Sequence, residues 1–431
     1  MKIKTLLKFL CISALMLISA CVPSTPGVDL TATQDALNQS GTQTAAVPPL
    51  PSVPPPTATL STDPTPAEQT SPTPTQPSGS GQQLLAYESN GQLLVTDVTN
   101  GVQGGTTQYT VTGESDQVSD PVWSPSGEFV AFVSAATGEP HIFYIFALGQ
   151  SSPTDLGPGS APAWSPDSQS IAYIGGTFPD DNIWITTIDN PAPRQLTFET
   201  NYAWGAPVFT PDGQSLVVAG TDRNNMGAQG NTTFTLESLT LDGSGTRTAL
   251  PGATPFEGGR LPYDLRFSPD GTQLAFSTSF HLSACASPSA YYISGGDGGD
   301  RQEIVSPSLS AAIDPNQEHY HVAQSYDWSP AGDSIVALGN VIDCNPNSPT
   351  MGQVLAGPQM SIIGLPAGQG EWTIIPGFFY GISMDRGGTM IAAAHFEDGF
   401  QDLDPTVEVY SAQAGQLVLS LGPGSNPQFQ P

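Results

Sequence analysis

One short pattern, met six times, constrains this chain more than anything else in it: an aromatic or apolar anchor, Ser or Thr, Pro, a turn pair, then an alternating apolar run. It reads VWSPSGEFVAFVS from Val122, AWSPDSQSIAYIG from Ala163, VFTPDGQSLVVAG from Val208, RFSPDGTQLAFST from Arg266, DWSPAGDSIVALG from Asp327 and, degraded, SMDRGGTMIAAAH from Ser383. The anchors Trp123, Trp164, Phe209, Phe267, Trp328 and Met384 are spaced by 41, 45, 58, 61 and 56 residues. A period of roughly 40 to 60 residues with strand-forming content marks a propeller or solenoid array.

The motif's chemistry explains why. Proline after the anchor has no N–H for a sheet ladder, so the strand stops there. Asp-Gly or its neighbours supply a tight turn with positive φ, and the alternating run is the returning hairpin strand. A third strand follows each hairpin (HIFYIFAL, NIWITTI, FTLESLTL, AYYIS, QMSIIGL, TVEVYS), then a shorter fourth (PRQLTF, TRTAL, RQEIV, EWTIIP, LVLSL). Four antiparallel strands make a propeller blade, with the anchor filling the wedge between neighbours. Residues 83–112 supply three strands without an anchor, and the tail from Asn426 to Pro431 supplies Phe429 without a hairpin, 45 residues after Met384. Joined, they make one blade. The expected fold is therefore all-β: a propeller of seven four-stranded blades closed by the C-terminal strand, after a disordered tether. Closure removes the open sheet edges of a linear array.

The W-S-P-D-G-x-x-I-A-F pattern resembles the WD-repeat-like propeller repeats of the TolB family and covers nearly all of residues 82–431. The match departs where Ser126, Ser168 or Ala331 occupies the turn and in Met384-Asp385-Arg386. The resemblance implies a periplasmic binding scaffold for protein or ligand.

The first 81 residues are of another kind. Lys2, Lys4 and Lys8 precede an apolar run from Phe9 to Ala20, too short to span a bilayer and typical of a secretory leader. Ile18-Ser19-Ala20-Cys21 resembles the lipobox of bacterial lipoproteins, which implies lipidation at Cys21 and leader removal at residues 1–20. Acylation by two or more chains gives a stable anchor. Residues 22–81 hold 13 of the 42 prolines, with Thr, Ser and Gln around them. Such a segment buries too little surface to offset chain entropy, so residues 21–81 are expected to be a lipidated, extended tether.

Charge sharpens the location. The chain has 10 Lys+Arg against 39 Asp+Glu, net −29, and no lysine beyond Lys8. That balance repels phosphate backbones, so no nucleic-acid partner is expected, and contact with membrane is expected only through the lipid. Cationic or neutral ligands fit better.

Within a blade, the connection between strands two and three shares a face with the connection to the next blade. The long insertions 221–232, 251–262, 279–289, 307–324, 340–358 and 396–405 are of those two kinds, so that face is the candidate binding surface. Cys285 and Cys344 fall in equivalent insertions of adjacent blades and are expected to form a disulfide, as exported chains permit. His281, His319, His321 and His395 map to the same face. The run Glu318-His319-Tyr320-His321 offers two imidazoles on one side of an extended segment, half of a metal site, but no third ligand has the right spacing. Solvated histidines are the simpler reading. The acidic loop Glu397–Asp404 offers oxygens to calcium without the ligand order of an EF-hand, so no cofactor is expected. Asp167, Asp212 and Asp270 read as turn formers. Phe378, Phe379, Tyr380 and Tyr320 suit stacking on sugar or peptide and equally suit blade packing. Asp120 and Asp264, each three residues before an anchor, are the residues to inspect at the central channel.

No Gly-x-Ser-x-Gly elbow, His-Glu-x-x-His or Gly-rich phosphate loop occurs. The expected function is a non-catalytic, monomeric scaffold, lipid-anchored outside the cytoplasm, that binds an envelope protein, peptide or glycan. The alternative is a propeller hydrolase or lyase acting on extracellular polysaccharide or peptide.

Overall fold

The computed structural model describes residues 81–109, 118–135, 139–147, 152–227, 230–279, 289–366, 370–397 and 404–431. The chain divides into two units, residues 1–71 and 72–431. The leader, Cys21, the tether to residue 80, His281 and Cys285 lie outside the described residues.

In the second unit the strands follow the repeat. Blade 2 pairs Val118–Trp123, Phe129–Ser134 and His141–Phe146 antiparallel in chain order. Its fourth strand is the first half of Thr154–Trp164, and from Gly159 onward that same strand is the inner strand of blade 3. Blade 3 continues with Ser170–Gly175, Asn182–Thr187 and Arg194–Gln195. Blade 4 comprises Val208–Phe209, Ser215–Val218, Glu237–Thr240 and Arg247–Ala249. Blade 5 comprises Asp264–Phe267, Gln273–Ser279, Ser289–Gly295 and Gln302–Ile304. Blade 6 comprises His319–Trp328, Ser334–Asp343, Val354–Gly364 and Glu371–Pro376. Blade 7 comprises Phe378–Met384, Met390–Phe396, Thr406–Ser411 and Leu417–Pro423. Blade 1 takes Ser425–Phe429 from the tail and adds Leu84–Ser89, Gln92–Asp97 and Thr106–Tyr109, with Leu85 opposite Phe429. The described ladders belong to sheets of two to eight strands that contain these antiparallel sets, with two further two-stranded ladders, Tyr202–Trp204 with Gly220–Asp222 and Thr232–Phe234 with Phe256–Gly259, and the first and last segments share one four-stranded sheet.

Burial supports the same sorting. Apolar clusters sit between successive blades, such as Leu93 and Val95 of blade 1 with Val130 and Phe132 of blade 2. Another joins Leu85 and Tyr87 of blade 1 to Ala392, Val407 and Val409 of blade 7, which closes the ring. The core is thus a set of wedges between sheets, and the anchors fill them: Trp123, Trp164 and Trp328 are each 7% exposed.

Each tryptophan anchor also pins its blade to the one before. Trp123 Nε1 donates to the Gln428 carbonyl (2.9 Å), Trp164 Nε1 to Val122 (3.0 Å) and Trp328 Nε1 to Arg266 (3.3 Å). Every acceptor immediately precedes the preceding blade's anchor. The substitution Trp164→Phe keeps an aromatic ring but removes the Nε1 donor to the Val122 carbonyl together with part of the indole's buried volume. It is expected to cost about 1–2 kcal/mol, read as a shift in urea midpoint at unchanged m value.

The motif's polar residues latch the turn. Ser268 Oγ donates to Asp270 Oδ1 (2.6 Å) and accepts from Gln273 N (3.0 Å), while Asp270 Oδ1 accepts from Thr272 N (3.0 Å). In the degraded repeat Asp385 takes both roles, accepting from the Thr389 and Met390 amides at 2.6 Å. Gly271 shows why the turn needs glycine: its φ is +72°, and a Cβ there would meet Pro211 of the preceding blade at 2.7 Å.

One expectation is corrected. Part of the expected insertions 307–324 and 340–358 is strand, namely 319–324, 340–343 and 354–358, because the first three strands of blade 6 run to 10, 10 and 11 residues where those of blade 2 have 6. The surplus of about four residues is about 13 Å of sheet, at about 3.3 Å per residue. His319, Tyr320 and His321 therefore lie on a strand, opposite Asp343, Ile342 and Val341. Phe378, Phe379 and Tyr380 likewise belong to the inner strand of blade 7.

Candidate functional site

On the inner strands the geometry three residues before the anchor is special. Asp120, Ala161, Gly381 and Asn426 all have positive φ (51°, 53°, 58° and 49°). The ladders slip register at Ser119/Val122, Ser160/Ala163 and Tyr380/Ile382. Such bulges bend a strand and re-aim its side chains. Asp and Asn tolerate the left-handed region better than other non-glycine residues, which suits Asp120 and Asn426 to it.

The inner strands of blades 5 and 6 bring together a charged and aromatic cluster. Arg266 Nε donates to Asp264 Oδ1 (2.8 Å), and another guanidinium nitrogen donates to Asp327 Oδ1 (3.1 Å). Asp327 also accepts from the Met384 and Trp328 amides at 2.8 and 3.0 Å, so one carboxylate ties blades 5, 6 and 7. Tyr326 donates to the Asp264 carbonyl (2.8 Å), and its ring lies 5.7 Å from the guanidinium. Burial works against the Arg266 charge, but Asp264 and Asp327 outweigh it and hold the guanidinium protonated. Burial pushes the Asp327 carboxyl up, with Arg266 and the two amides opposing.

Asp120 and two tyrosines differ from this paired network. Tyr263 and Tyr380 are 45% and 41% exposed, and Asp120 is open to solvent. Yet desolvation by surrounding protein raises the Asp120 carboxyl, Ser119 opposes the rise at 3.1 Å, and the Asp264 charge adds to it. The same desolvation, with the charges of Asp120 and Glu88, pushes the Tyr380 phenol up to about 12.

The structure thus brings Asp120 and Asp264 into one cluster. It does not gather the histidines. His319 Nδ1 lies 3.2 Å from the Ala312 carbonyl, while His395 Nδ1 pairs with Glu408 at 3.0 Å and stacks on Phe379 at 4.9 Å between centroids. His321 is 7% exposed, and its Nδ1 has no hydrogen-bond partner. It borders a cavity of about 10 Å³, near the space of one water, with Tyr291, Ser306 and Ser361. Among the described residues no group of three or more His, Cys, Asp or Glu is placed to hold a metal ion. Residues 398–403 of the acidic loop lie outside the described residues.

His321 carries a pH prediction. Burial holds its pKa at about 4, against an ordinary value of about 6.5, so the unfolded chain takes the proton first. Its contribution is complete above pH 6.5 and is lost as pH falls towards 4. The loss is on the order of 3 kcal/mol. Urea titrations at pH 7 and 4.5 check it: His321→Gln should show a smaller drop than the parent protein.

Arg266, Asp327 and Tyr263 escape a reading of the sequence by motif. A signal exists all the same: the positions before the seven anchors are Val122, Ala163, Val208, Arg266, Asp327, Ser383 and Gln428. Two are charged, of opposite sign, in adjacent blades.

No protein-family model matches the chain, and no curated protein does. Solved structures give matches of fold. TolB from Acinetobacter baumannii is 14% identical over 81% of this chain and 67% of its own, with TM-score 0.45. An oligogalacturonate lyase in complex with manganese is 14% identical over 78% and 84%, with TM-score 0.49. The β-propeller domain of the trilobed protease from Pyrococcus furiosus is 17% identical over 70% and 81%, with TM-score 0.44. At these levels the likeness carries nothing about activity. By its own ladder order, the sheet shared by its first and last segments and its repeat, the described chain folds as a β-propeller.

Proposed function

We propose that the protein is a binding scaffold, held outside the cytoplasm by lipid on Cys21 and acting as a non-catalytic monomer on an envelope protein, peptide or glycan. One observation carries the reading. At the channel mouth, Asp264 and Asp327 are committed to Arg266 and to backbone amides, so the charged groups that most resemble reaction machinery hold blades together. What remains open to solvent is a recognition surface: Asp120, Tyr263 and Tyr380 under the loop-rich face. The immobilised protein should retain a specific component of envelope extract and should not shorten any member of a panel of polysaccharides and peptides. Turnover without retention would replace this reading by the hydrolase or lyase alternative. That alternative draws on the raised Asp120 carboxyl, a property of general acids.

Two further parts of the proposal concern export. Membrane fractions labelled with radioactive palmitate should carry the protein, and Cys21→Ser should abolish the label. Cys344, 1% exposed, immediately follows the strand Ser334–Asp343, in the blade adjacent to that of Cys285. A Cys285–Cys344 disulfide would join blades 5 and 6 on the binding face. Intact mass after alkylation of denatured protein should rise by two adducts only after reduction; two adducts without reductant would refute it.

A further inference from the structure

The blades differ at their outer edges. The fourth strands of blades 2 to 5 each hold a charged side chain: Asp155, Arg194, Arg247 and Glu303 in turn. Charge of this kind guards an open sheet edge. The outer strands of blades 7 and 1, Leu417–Pro423 and Thr106–Tyr109, hold none. Blade 6 has Glu371 alone, and its carboxylate accepts from the Ser308 amide (2.8 Å) and from Gln359 Nε2 (3.1 Å). The pattern extends along the chain: Glu371 is the single charged residue from Cys344 to Met384, and there is none from Val409 to Pro431, in a chain of net −29.

In place of charge this rim exposes apolar side chains. Trp372, Ile374, Leu417, Val418 and Val102 are between 43% and 65% exposed. Contacts join them across three blades. Thr373 Oγ1 donates to the Gln413 carbonyl (3.3 Å), and a Cβ at Gly415 would lie 3.2 Å from Ile375 Cγ1, so the turn before Leu417 packs on the strand of Trp372 and Ile374. Gly101 abuts Val418 so closely that a Cβ would not fit, which carries the stretch to Val102 of blade 1. Contiguous exposed apolar surface marks an interaction site.

The point where the tether enters decides what can cover it. Gln83 N donates to Thr99 Oγ1 (2.8 Å) and the Gln83 carbonyl accepts from Val98 N (2.8 Å), so the chain leading from Cys21 joins the propeller two residues from Gly101. The surface nearest the anchored segment is thus the uncharged one, where repulsion of an acidic protein by anionic headgroups is least. Exposed tryptophan among aliphatic side chains is the composition of a bilayer interface.

We propose that the rim of blades 6, 7 and 1 seats on the lipid bilayer, with Trp372 and Leu417 entering the headgroup boundary. This rests on the reading of Cys21 as lipidated and deepens it: the acyl chains keep the domain near the bilayer, so a weak partition suffices. An edge-on seat leaves the loops between blade strands free for the recognised partner. The expectation that membrane is met only through the lipid follows from the charge of the whole chain, and does not extend to a rim that carries none.

The test is flotation of the mature chain, residues 21–431 with Cys21→Ser so that no acyl chain contributes, with vesicles of phosphatidylcholine alone or with phosphatidylglycerol added. The protein should float with neutral vesicles, and brominated phosphatidylcholine should quench its tryptophan emission. Trp372→Phe should still float but lose most of the quenching, because the other tryptophans are buried or, for Trp184, half-buried. Trp372→Gln combined with Ile374→Gln and Leu417→Gln should partition roughly tenfold less or weaker still. Phe198→Gln, at a ring 59% exposed in blade 3's part of the chain, should match the parent. Phosphatidylglycerol should weaken flotation at low salt, and added salt should restore it. Urea midpoints near the parent value establish that the variants fold. No flotation with neutral vesicles, equal flotation of the triple variant, an equal loss in Phe198→Gln, or self-association through the rim without vesicle binding overturns the inference. Failure of flotation with the palmitate label intact at Cys21 discards the rim and leaves the anchor; flotation retained in a protein that takes no label discards the anchor and leaves the rim.

Discussion

Replacing Arg266 with Met is expected to destabilise the propeller by about 2–3 kcal/mol at neutral pH, more than any other single surface-reachable change in the channel. The guanidinium bridges Asp264 at 2.8 Å and Asp327 at 3.1 Å, and its loss leaves two carboxylates facing each other without a counter-charge. Breaking a fully dry pair in this way costs about 3–5 kcal/mol. Here the side chains are 31%, 22% and 18% exposed, so channel water screens part of the penalty and the smaller figure applies. The effect depends on pH. Burial already raises the Asp327 carboxyl, and without Arg266 it rises further. A raised carboxyl favours the folded state below its unfolded pKa and penalises it as pH climbs through the folded value. The deficit of Arg266→Met should therefore be largest at pH 7 and shrink towards about pH 4. Adding Asp327→Asn, which retains an acceptor for the Met384 and Trp328 amides, should recover part of the loss at pH 7. Urea midpoints for the four proteins of the cycle give the coupling directly. An equal deficit at both pH values, with no recovery in the double variant, would mean that Arg266 acts through packing alone.

That pair also shows where legibility in the sequence stops. The repeat announces itself because its features act locally: Pro ends a strand, Ser and Asp latch a turn five residues wide, and an alternating run pairs with its neighbour. Ring closure is legible for the same reason, since Phe429 completes a repeat whose missing half stands at Leu84. The long strands of blade 6 are not, because residues 319–324 and 340–343 mix polar and apolar types in a way that suits loop or strand, and their mutual pairing decides. Tyr291 helps to decide it, accepting from the Gln324 and Ser325 amides at 2.7 and 2.8 Å across the blade boundary. The channel is the hardest part. Its members come from blades 1, 2, 5, 6 and 7, and what makes them a site is proximity created only when the ring closes. Position relative to the anchor locates Asp120 and Asp264, and the same ruler moved two residues locates Arg266 and Asp327. Asp264 is paired because Arg266 stands two residues on, where blade 2 has Val122, and Asp120 sits at a bulge with φ of 51°.

Closure makes the second large prediction. Ending the chain at Gly424 removes the inner strand of blade 1 and, with it, the partners of Leu85, Ala86 and Glu88. Phe429, 5% exposed, leaves the cluster of Leu85, Tyr87, Val98, Ala392, Val407 and Val409. Trp123 loses the carbonyl of Gln428, Ser383 loses the Phe429 amide, and Gln83 and Gly127 lose their bonds to Gln430. Deleting the phenyl ring alone, as Phe429→Ala, should cost about 3–5 kcal/mol. The full deletion should exceed the usual stability margin of a domain, about 5–15 kcal/mol, or bring the protein to its edge, because an apolar strand edge opens at the same moment. The truncated chain should elute as soluble oligomers or aggregate, and hydrogen exchange should lose protection first in Leu84–Ser89 and Phe378–Met384, the two strands against which the tail packs. Phe429→Ala should remain monomeric with a lowered midpoint and retained protection in Leu84–Ser89, since its backbone ladder is intact. The contrast separates two roles of the tail: the ring of Phe429 supplies burial, while the ladder to Leu84–Ser89 supplies closure. A monomeric truncated protein with parental protection in Leu84–Ser89 would show that blade 1 stands on three strands, and that the channel cluster, with Glu88 in it, does not depend on the closed ring.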